Sequence, residues 1–198
     1  MDERQAALAH AIARLRRGDM GGLESLMEAY QVKAVRTAYL ITRDRAAAED
    51  IVQSAFVRVY ERIHQFNPDR PFEPYFLRIV INDAVKAASR SQRVVSIDAE
   101  VGESDVTLAE LLPDPTPDPA DEAERLEIQR AVWEAMEKLT PKQRAVAVLR
   151  YALGYSEAEI AQSLTLPAGT IKWRLHAARQ RLHGLLSPLW NESVEGKG

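Results

Sequence analysis

The sequence contains no cysteine, which excludes disulfide bonds and thiolate metal sites. Its four histidines, at positions 10, 64, 176 and 183, lack a metal-ligand spacing such as His-x-x-x-His. No stretch approaches the roughly 18 consecutive apolar residues of a membrane span, and the first residues are charged, unlike those of a signal peptide. These absences predict a cytoplasmic protein with no metal and no cofactor.

Charge is divided unevenly along the chain, although the formal net charge is only −3. Residues 98–127 include eleven acidic side chains and one basic one, a local charge of −10, whereas residues 142–183 carry a local charge of +5. The acidic segment also has prolines at positions 113, 115, 117 and 119, which disfavour helix and favour an extended chain. We therefore predict a linker over residues 97–122, with a merely solvated spacer as the simplest interpretation.

Helical periodicity covers most of the remaining chain. Over residues 44–66, apolar side chains recur at the 3.6-residue period of a helix. This stripe consists of Val52, Ala55, Phe56, Val59 and Ile63. Thr140–Gln143 has the pattern of a capping box, and Ser156–Glu159 repeats it. With a further start after Pro167, these signals predict three consecutive short helices.

Strand-like alternation is absent, so the fold class is predicted to be all-α. We expect two small helical domains at residues 1–96 and 123–188, joined by the acidic linker and followed by a tail at residues 189–198. No paired nucleophile and base, glycine-rich phosphate loop or carboxylate cluster on a helix indicates an enzyme.

Residues 156–182 have the pattern of a helix-turn-helix. A first helix with Ile160, Ala161 and Leu164 facing inward precedes a turn at residues 165–167. The second helix has one apolar stripe, formed by Ile171, Leu175, Ala178 and Leu182. Its opposite face carries Trp173, His176 and Gln180, flanked by Lys172, Arg179 and His183. This face is free to enter a DNA major groove, although a helical packing unit with a solvated basic face has the same pattern.

Three large apolar side chains are expected on otherwise polar helix faces. Trp173 is costly to leave in water, so it is expected to meet DNA, a partner protein or another part of the chain. Ile51 and Val57 fall off the apolar stripe of residues 44–66. They indicate a second contact surface, for either a partner protein or a neighbouring helix of the same domain.

Six of the thirteen aromatic residues lie within residues 56–76. Phe56 and Tyr60 are expected in the core. The others are Phe66, Phe72, Tyr75 and Phe76, and they surround a proline-broken loop. Basic residues follow this loop along the chain, at Arg78, Lys86, Arg90 and Arg93. Aromatic rings beside cations are typical of single-stranded nucleic-acid binding, but a loop pinned to the core by its own aromatics is the commoner arrangement.

With these segments in this order, the chain resembles a bacterial extracytoplasmic-function (ECF) sigma factor. The resemblance covers about residues 18–96 and 123–186. It rests on the stretches AAAEDIVQSAFVRVYERIHQF, PFEPYFLRIVINDAV and LTPKQRAVAVLRYALGYSEAEIAQSLTLPAGTIKWRLHAARQRL, and on the acidic, proline-rich break between the last two.

The resemblance implies a non-enzymatic, dissociable subunit that directs core RNA polymerase to promoters and initiates transcription. The N-terminal domain would bind the polymerase clamp through Asp50, Ile51, Gln53, Ser54 and Val57. It would also open the downstream promoter element and hold an unpaired base. Residues implied in that role are Phe66, Phe72, Tyr75, Arg78, Asn82, Lys86 and Arg90.

The C-terminal domain would read the upstream promoter element and bind the polymerase flap. The implied DNA contacts are Gly169, Thr170, Lys172, Trp173, Arg174, His176 and Arg179. The acidic linker would thread the polymerase channel that later holds nascent RNA. An anti-sigma factor is a further partner that the resemblance implies.

Four positions depart from the family pattern. Trp173 stands where a small residue is common and Ala177 where arginine is common, so no base preference is carried over. Tyr75 replaces a usual tryptophan but keeps a flat stacking face, and Lys86 stands where an acid is common. Two other functions stay open: a stand-alone dimeric regulator that binds a palindrome, and a sigma-like decoy or adaptor that binds a regulator protein but no DNA.

Overall fold

A computed structural model describes residues 3–95 and 119–195 of the chain, so most of the predicted linker lies outside the described residues. The described residues are helical and contain no strand, which confirms the all-α prediction. None of their helices is long and apolar enough to cross a membrane. The chain divides into two compact units, Met1–Val94 and Val95–Gly198.

The first unit has four helices: α1 at Glu3–Arg16, α2 at Gly21–Thr42, α3 at Arg45–Arg62 and α4 at Phe72–Val95. A 3₁₀ turn at Ile63–Gln65 follows α3. The second unit has α5 at Pro119–Glu137, α6 at Pro141–Ala147, α7 at Glu157–Leu164 and α8 at Ala168–Glu195. Between α6 and α7, the segment Val148–Ala152 forms a π-helical turn.

Two helix boundaries differ from the expectations. Helix α5 begins at Pro119, so it includes the last four residues assigned to the linker. A proline fits the first turn of a helix, where its missing N–H has no partner to lose, and the acids that follow favour a helix N-terminus. Helix α8 is not short but 28 residues long, and it includes part of the segment assigned to the tail.

The predicted apolar stripe of α3 is buried, from Val52 to Ile63. Tyr60 does not join it: this side chain is 44% exposed, so its assignment to the core was wrong. On a helix, Tyr60 lies about 100° around the axis from Val59, which is fully buried. Phe76 packs at 4.4 Å from Phe56 and at 6.2 Å from Tyr30, measured between ring centroids, and so joins α4 to α3 and α2.

Helices α1 and α2 approach each other closely at Gly22. A Cβ added there would lie against the carbonyl oxygen of Ala11 and 2.6 Å from the amide nitrogen of Leu15. The neighbouring side chains of α1, among them Leu15, are buried. The glycine is therefore needed for steric reasons, since any side chain at this position would push the two helices apart.

The second unit packs α5, α6 and α7 against α8. Both predicted capping boxes are present, with Thr140 accepting from the Gln143 amide and Ser156 from the Glu159 amide. Arg144 is buried, and its guanidinium caps the C-terminal end of α5. Its Nε donates to the carbonyl of Met136 at 2.9 Å, and its Nη2 donates to the carbonyls of Glu137 and Leu139. A single side chain thus satisfies carbonyls at the C-terminus of α5 that have no partner in that helix.

We predict that Gly22→Ala lowers the free energy of unfolding by about 2 kcal/mol, because its Cβ overlaps the backbone of α1. The matched control is Gly184→Ala in α8, where a Cβ meets no atom within 4 Å. There the substitution should stabilise by about 0.5–1 kcal/mol through helix propensity. Urea denaturation measures both, and equal effects of the two variants would contradict the close approach of α1 and α2.

We predict that Arg144→Lys destabilises by about 2 kcal/mol, because one ammonium group cannot reach three separated carbonyls in a buried site. The control is the reverse exchange at an exposed position of the same helix, Lys142→Arg, which should change stability by less than about 0.5 kcal/mol. Similar melting temperatures for Arg144→Lys and the parent protein would show that the carbonyls do not depend on this residue.

Candidate nucleic-acid and polymerase interfaces

Helix α8 is two-sided, as its sequence pattern predicts. Ile171, Leu175 and Ala178 are buried against the rest of the second unit, and Leu182 is half-buried. The opposite side is open: the Trp173 side chain is 66% exposed, and His176 and Gln180 are exposed beside it. Packing on one side therefore fixes which side of α8 faces outward.

The basic residues of α8 form two flanks around this exposed centre. At 100° per residue, Lys172 and Arg179 fall on one side of Trp173, and Arg174 falls on the other. Lys172 and Arg179 are exposed and Arg174 is half-buried. Gly169 and Thr170 lie in the first turn, where nothing lies within 4 Å of the position of a Cβ on Gly169. The structure therefore brings all seven predicted upstream contacts to the outer part of one helix.

The turn before α8 has a defined geometry. Thr165 ends α7 in the left-handed conformation, with φ 54° and ψ 47°, and its amide donates to carbonyls of α7. A β-branched residue rarely adopts this conformation, which glycine adopts more readily. The turn then reaches Pro167, whose carbonyl accepts from the amides of Thr170 and Ile171 and starts α8. The segment from α7 to α8 thus consists of two helices joined by a short turn, in the order that the sequence predicts.

Two basic residues of this unit serve the fold rather than the exposed face. Arg144 is buried at the end of α5, and Arg150 donates from Nη1 to the carbonyl of Tyr155 at 2.9 Å. Their contribution to the local charge of +5 therefore does not mark them as DNA contacts.

Arg179 has a defined neighbour that the sequence did not indicate, because its Nε donates to the hydroxyl of Tyr151 at 2.7 Å. This hydrogen bond raises the pKa of Arg179 above its ordinary value, so the guanidinium remains charged.

The aromatic residues around the 66–76 loop are mostly internal. Phe66 and Phe72 are 4% and 5% exposed and meet edge to face at 5.5 Å, so neither can offer a ring face to a base. Their assignment as stacking platforms is corrected on this ground: burial in the core occupies both faces. Tyr75 is half-buried and rests on Phe66, with ring centroids 4.9 Å apart. Of the aromatic contacts predicted for the downstream element, only Tyr75 keeps access to solvent.

Polar residues of α4 extend the surface that begins at Tyr75. Tyr75, Asn82 and Lys86 fall within about 40° of one another around the helix axis, with Arg78 on one flank and Arg90 on the other. Asn82, Lys86 and Arg90 are exposed. Nearby, Asp83 accepts a hydrogen bond from Lys86 Nζ at 3.5 Å and pairs with Arg58 of α3 at 2.9 Å. The Asp83 bridge ties this part of α4 to α3.

The outer face of α3 contains four of the five predicted polymerase contacts. Asp50, Gln53, Ser54 and Val57 are all exposed on this face. Ile51 differs, because it is half-buried on the flank of the helix. Tyr60, which the sequence placed in the core, is exposed beside Val57 and adds a second apolar side chain to the face. The described residues contain no group of histidine, aspartate or glutamate that could hold a metal ion.

Comparison with known proteins matches both units. The family model of Sigma-70 region 2 matches residues 26–94, and that of Sigma-70 region 4 matches residues 129–182. The ECF RNA polymerase sigma factor SigW of Bacillus subtilis is 30% identical over 179 residues, which are 90% of this chain and 96% of the relative. The ECF RNA polymerase sigma-E factor of Escherichia coli K12 is 30% identical over 186 residues, 90% of this chain and 93% of the relative.

Solved structures share the fold. The structure of CnrH in complex with the cytosolic domain of CnrY superposes with a TM-score of 0.63 at 23% identity, covering 92% of this chain and 98% of that one. The sigma factor RpoE from Bartonella quintana, solved with the anti-sigma factor NepR, gives a TM-score of 0.57 at 23% identity, with 79% and 91% covered. With the two sigma-region matches and full-length relatives at 30% identity, this chain belongs to the ECF sigma factors, which act with core RNA polymerase at promoter DNA.

Proposed function

We propose that this ECF sigma factor reads the upstream promoter element with the exposed side of α8. The observation that carries the proposal is Trp173, which is 66% exposed at the centre of a basic face whose opposite side is buried. The exposure of a tryptophan between cations is explained if this side of α8 enters the major groove of DNA. There it can pack on the methyl group of a thymine while the flanking side chains bind phosphates.

The two flanks of α8 fit the two walls of a major groove. Lys172 and Arg179 would meet phosphates of one strand, and Arg174 those of the other. Gly169 lies in the first turn of α8, whose N-terminus attracts a phosphate, and Thr170 adds a hydroxyl to the same turn. His176 lies one turn further along, within reach of the base edges.

The first unit would hold an unpaired base of the downstream element at Tyr75. Phe66 contacts this ring at 4.9 Å with the two planes tilted by 44°, and the half-buried Tyr75 keeps part of its ring open for a base. Asn82 and Lys86 on the same ridge supply a hydrogen-bonding amide and a cation, and Arg78 and Arg90 supply phosphate partners. Opening the duplex then requires only binding energy, since stacking on Tyr75 offsets the stacking lost in DNA.

The outer face of α3 would bind the polymerase clamp. Val57 and Tyr60 form its apolar part, and Asp50, Gln53 and Ser54 surround them with polar groups. An apolar centre with a polar rim is typical of a dissociable protein interface. The clamp would cover Val57 and Tyr60 and so remove them from water.

Regulation and location follow the family pattern. The acidic linker would occupy the polymerase channel for nascent RNA, because its negative charge imitates that of RNA, and the second unit would also bind the polymerase flap. CnrH and the Bartonella quintana RpoE were each solved with a partner, in the second case an anti-sigma factor. A similar anti-sigma factor would hold this chain inactive in the cytoplasm. The chain itself would catalyse no reaction.

The decisive experiment mixes the purified chain with bacterial core polymerase and a randomised promoter library. We expect RNA to start at one defined sequence, recovered by sequencing the transcripts. A palindromic footprint formed without polymerase would select the stand-alone regulator instead. Absence of any start site, with the chain folded and bound to a co-purified regulator, would select the decoy or adaptor.

We predict that Lys172→Ala and Arg174→Ala each weaken binding of the holoenzyme to the selected promoter. Each should also reduce the slope of log affinity against log salt by about one unit, because one phosphate contact is lost. Lys142→Ala, an exposed cation on α6, is the control and should leave the slope unchanged. Unchanged slopes for both α8 variants would place these side chains away from the DNA backbone.

We predict that Tyr75→Ala weakens binding of the holoenzyme to a fluorescent single strand of the selected downstream element by about tenfold, the loss of one stacked base. Tyr75→Phe should bind almost as well, because it keeps the ring. Phe72→Leu removes a buried ring beside it and serves as the control for general loss of stability. If Tyr75→Ala binds the single strand like the parent protein, Tyr75 is only part of the core cluster.

A further inference from the structure

The helix that begins at Pro141 changes to a π-helical turn at Val148–Ala152. The amide of Leu153 donates to the carbonyl of Val148, five residues earlier, at 3.1 Å. The amide of Tyr155 donates to the carbonyl of Leu149 at 3.0 Å. These bonds widen the last turn relative to an α-helix. Such single π turns are uncommon and often occur at functional sites.

The widened turn presents Tyr151 on the surface. Val148 and Leu149 on the same turn are buried, whereas Tyr151 is 57% exposed. Its hydroxyl accepts the 2.7 Å hydrogen bond from Arg179 Nε, across 28 residues of sequence. Tyr151 therefore joins the π turn to the basic flank of α8.

The chemistry of this bond leaves the guanidinium ready for an anion. Only Nε is engaged, so among the described residues the two terminal nitrogens of Arg179 have no acceptor. Their parallel N–H groups match two oxygens of a phosphate. The Tyr151 hydroxyl accepts this bond through an oxygen lone pair and remains uncharged.

A neutral hydroxyl is a better acceptor than a carboxylate for holding Arg179 ready to bind a phosphate. An ion pair would also hold Arg179, but it would cancel the charge that attracts DNA. Glu157 in the first turn of α7 is near enough to contribute, more weakly than Tyr151, to the raised pKa of Arg179. The bond to Tyr151 restricts the side chain while its full positive charge remains.

We propose that Tyr151 is a positioning residue for promoter recognition: it holds Arg179 with its terminal nitrogens toward a backbone phosphate. This inference rests on the proposed DNA-binding role of α8. It assigns a positioning role to a residue outside residues 156–182, which the sequence pattern does not mark.

The test is Tyr151→Phe in the complete holoenzyme, with the promoter duplex selected from the library as probe. We expect affinity to fall by about fivefold, as for one lost hydrogen bond. Arg179→Ala should have a larger effect, and the double variant should equal Arg179→Ala, because the tyrosine acts through the arginine. The melting temperature of Tyr151→Phe should match that of the parent, since the hydroxyl is on the surface.

The slope of log affinity against log salt distinguishes a positioning role of Tyr151 from a merely structural one. Tyr151→Phe changes no charge, yet its slope should move toward that of Arg179→Ala if the guanidinium leaves the phosphate. Unchanged affinity and slope, or additive losses in the double variant, would overturn the inference.

Lys172→Ala in the same assay tests the proposed function separately. If Lys172→Ala weakens binding while Tyr151→Phe does not, only the role of Tyr151 fails; if neither does, the DNA-binding face itself is misassigned.

Discussion

The burial of one apolar stripe on α8 is the constraint on which the proposed reading of promoter DNA by this helix depends. Ile171, Leu175 and Ala178 pack so completely that α8 cannot rotate without exposing them. Because side chains follow one another at 100° around a helix, that burial also sets the directions of Trp173 and the cations. The face that we propose for DNA is thus a consequence of the core, and its surface side chains do not take part in that packing.

Net charge conceals how this chain separates its electrostatic tasks. The acidic residues are densest over residues 98–127, whereas α4 and α8 each carry exposed cations on their outer side. Some arginines bond to the backbone of their own unit: Arg144 binds the carbonyl of Met136 near the end of α5, and Arg150 binds the carbonyl of Tyr155, two residues before α7. Arg58 joins α3 to α4 through Asp83. Counting charges along a sequence therefore overestimates the surface available to a polyanion.

The sequence predicted the features that follow from local rules. The two capping boxes and the α8 stripe need only spacing, and both are present. Features that need a partner distant in sequence could not be found this way. The bond between Tyr151 and Arg179 depends on a π turn that has no composition signal, and Tyr60 resembles the core residues around it. Phe66 and Phe72 were predicted to contact DNA but are buried, because aromatic residues near cations have the same sequence pattern whether their side chains are buried or exposed.

The clamp of Arg144 on α5 has a mechanical consequence. Helix α5 starts at Pro119, within the acidic segment, and packs against α8. Its far end and the turn after it are held by three hydrogen bonds from one guanidinium. Because Arg144 holds that end of α5, a displacement of the chain at Pro119 would pass along the helix to α8, which packs against it.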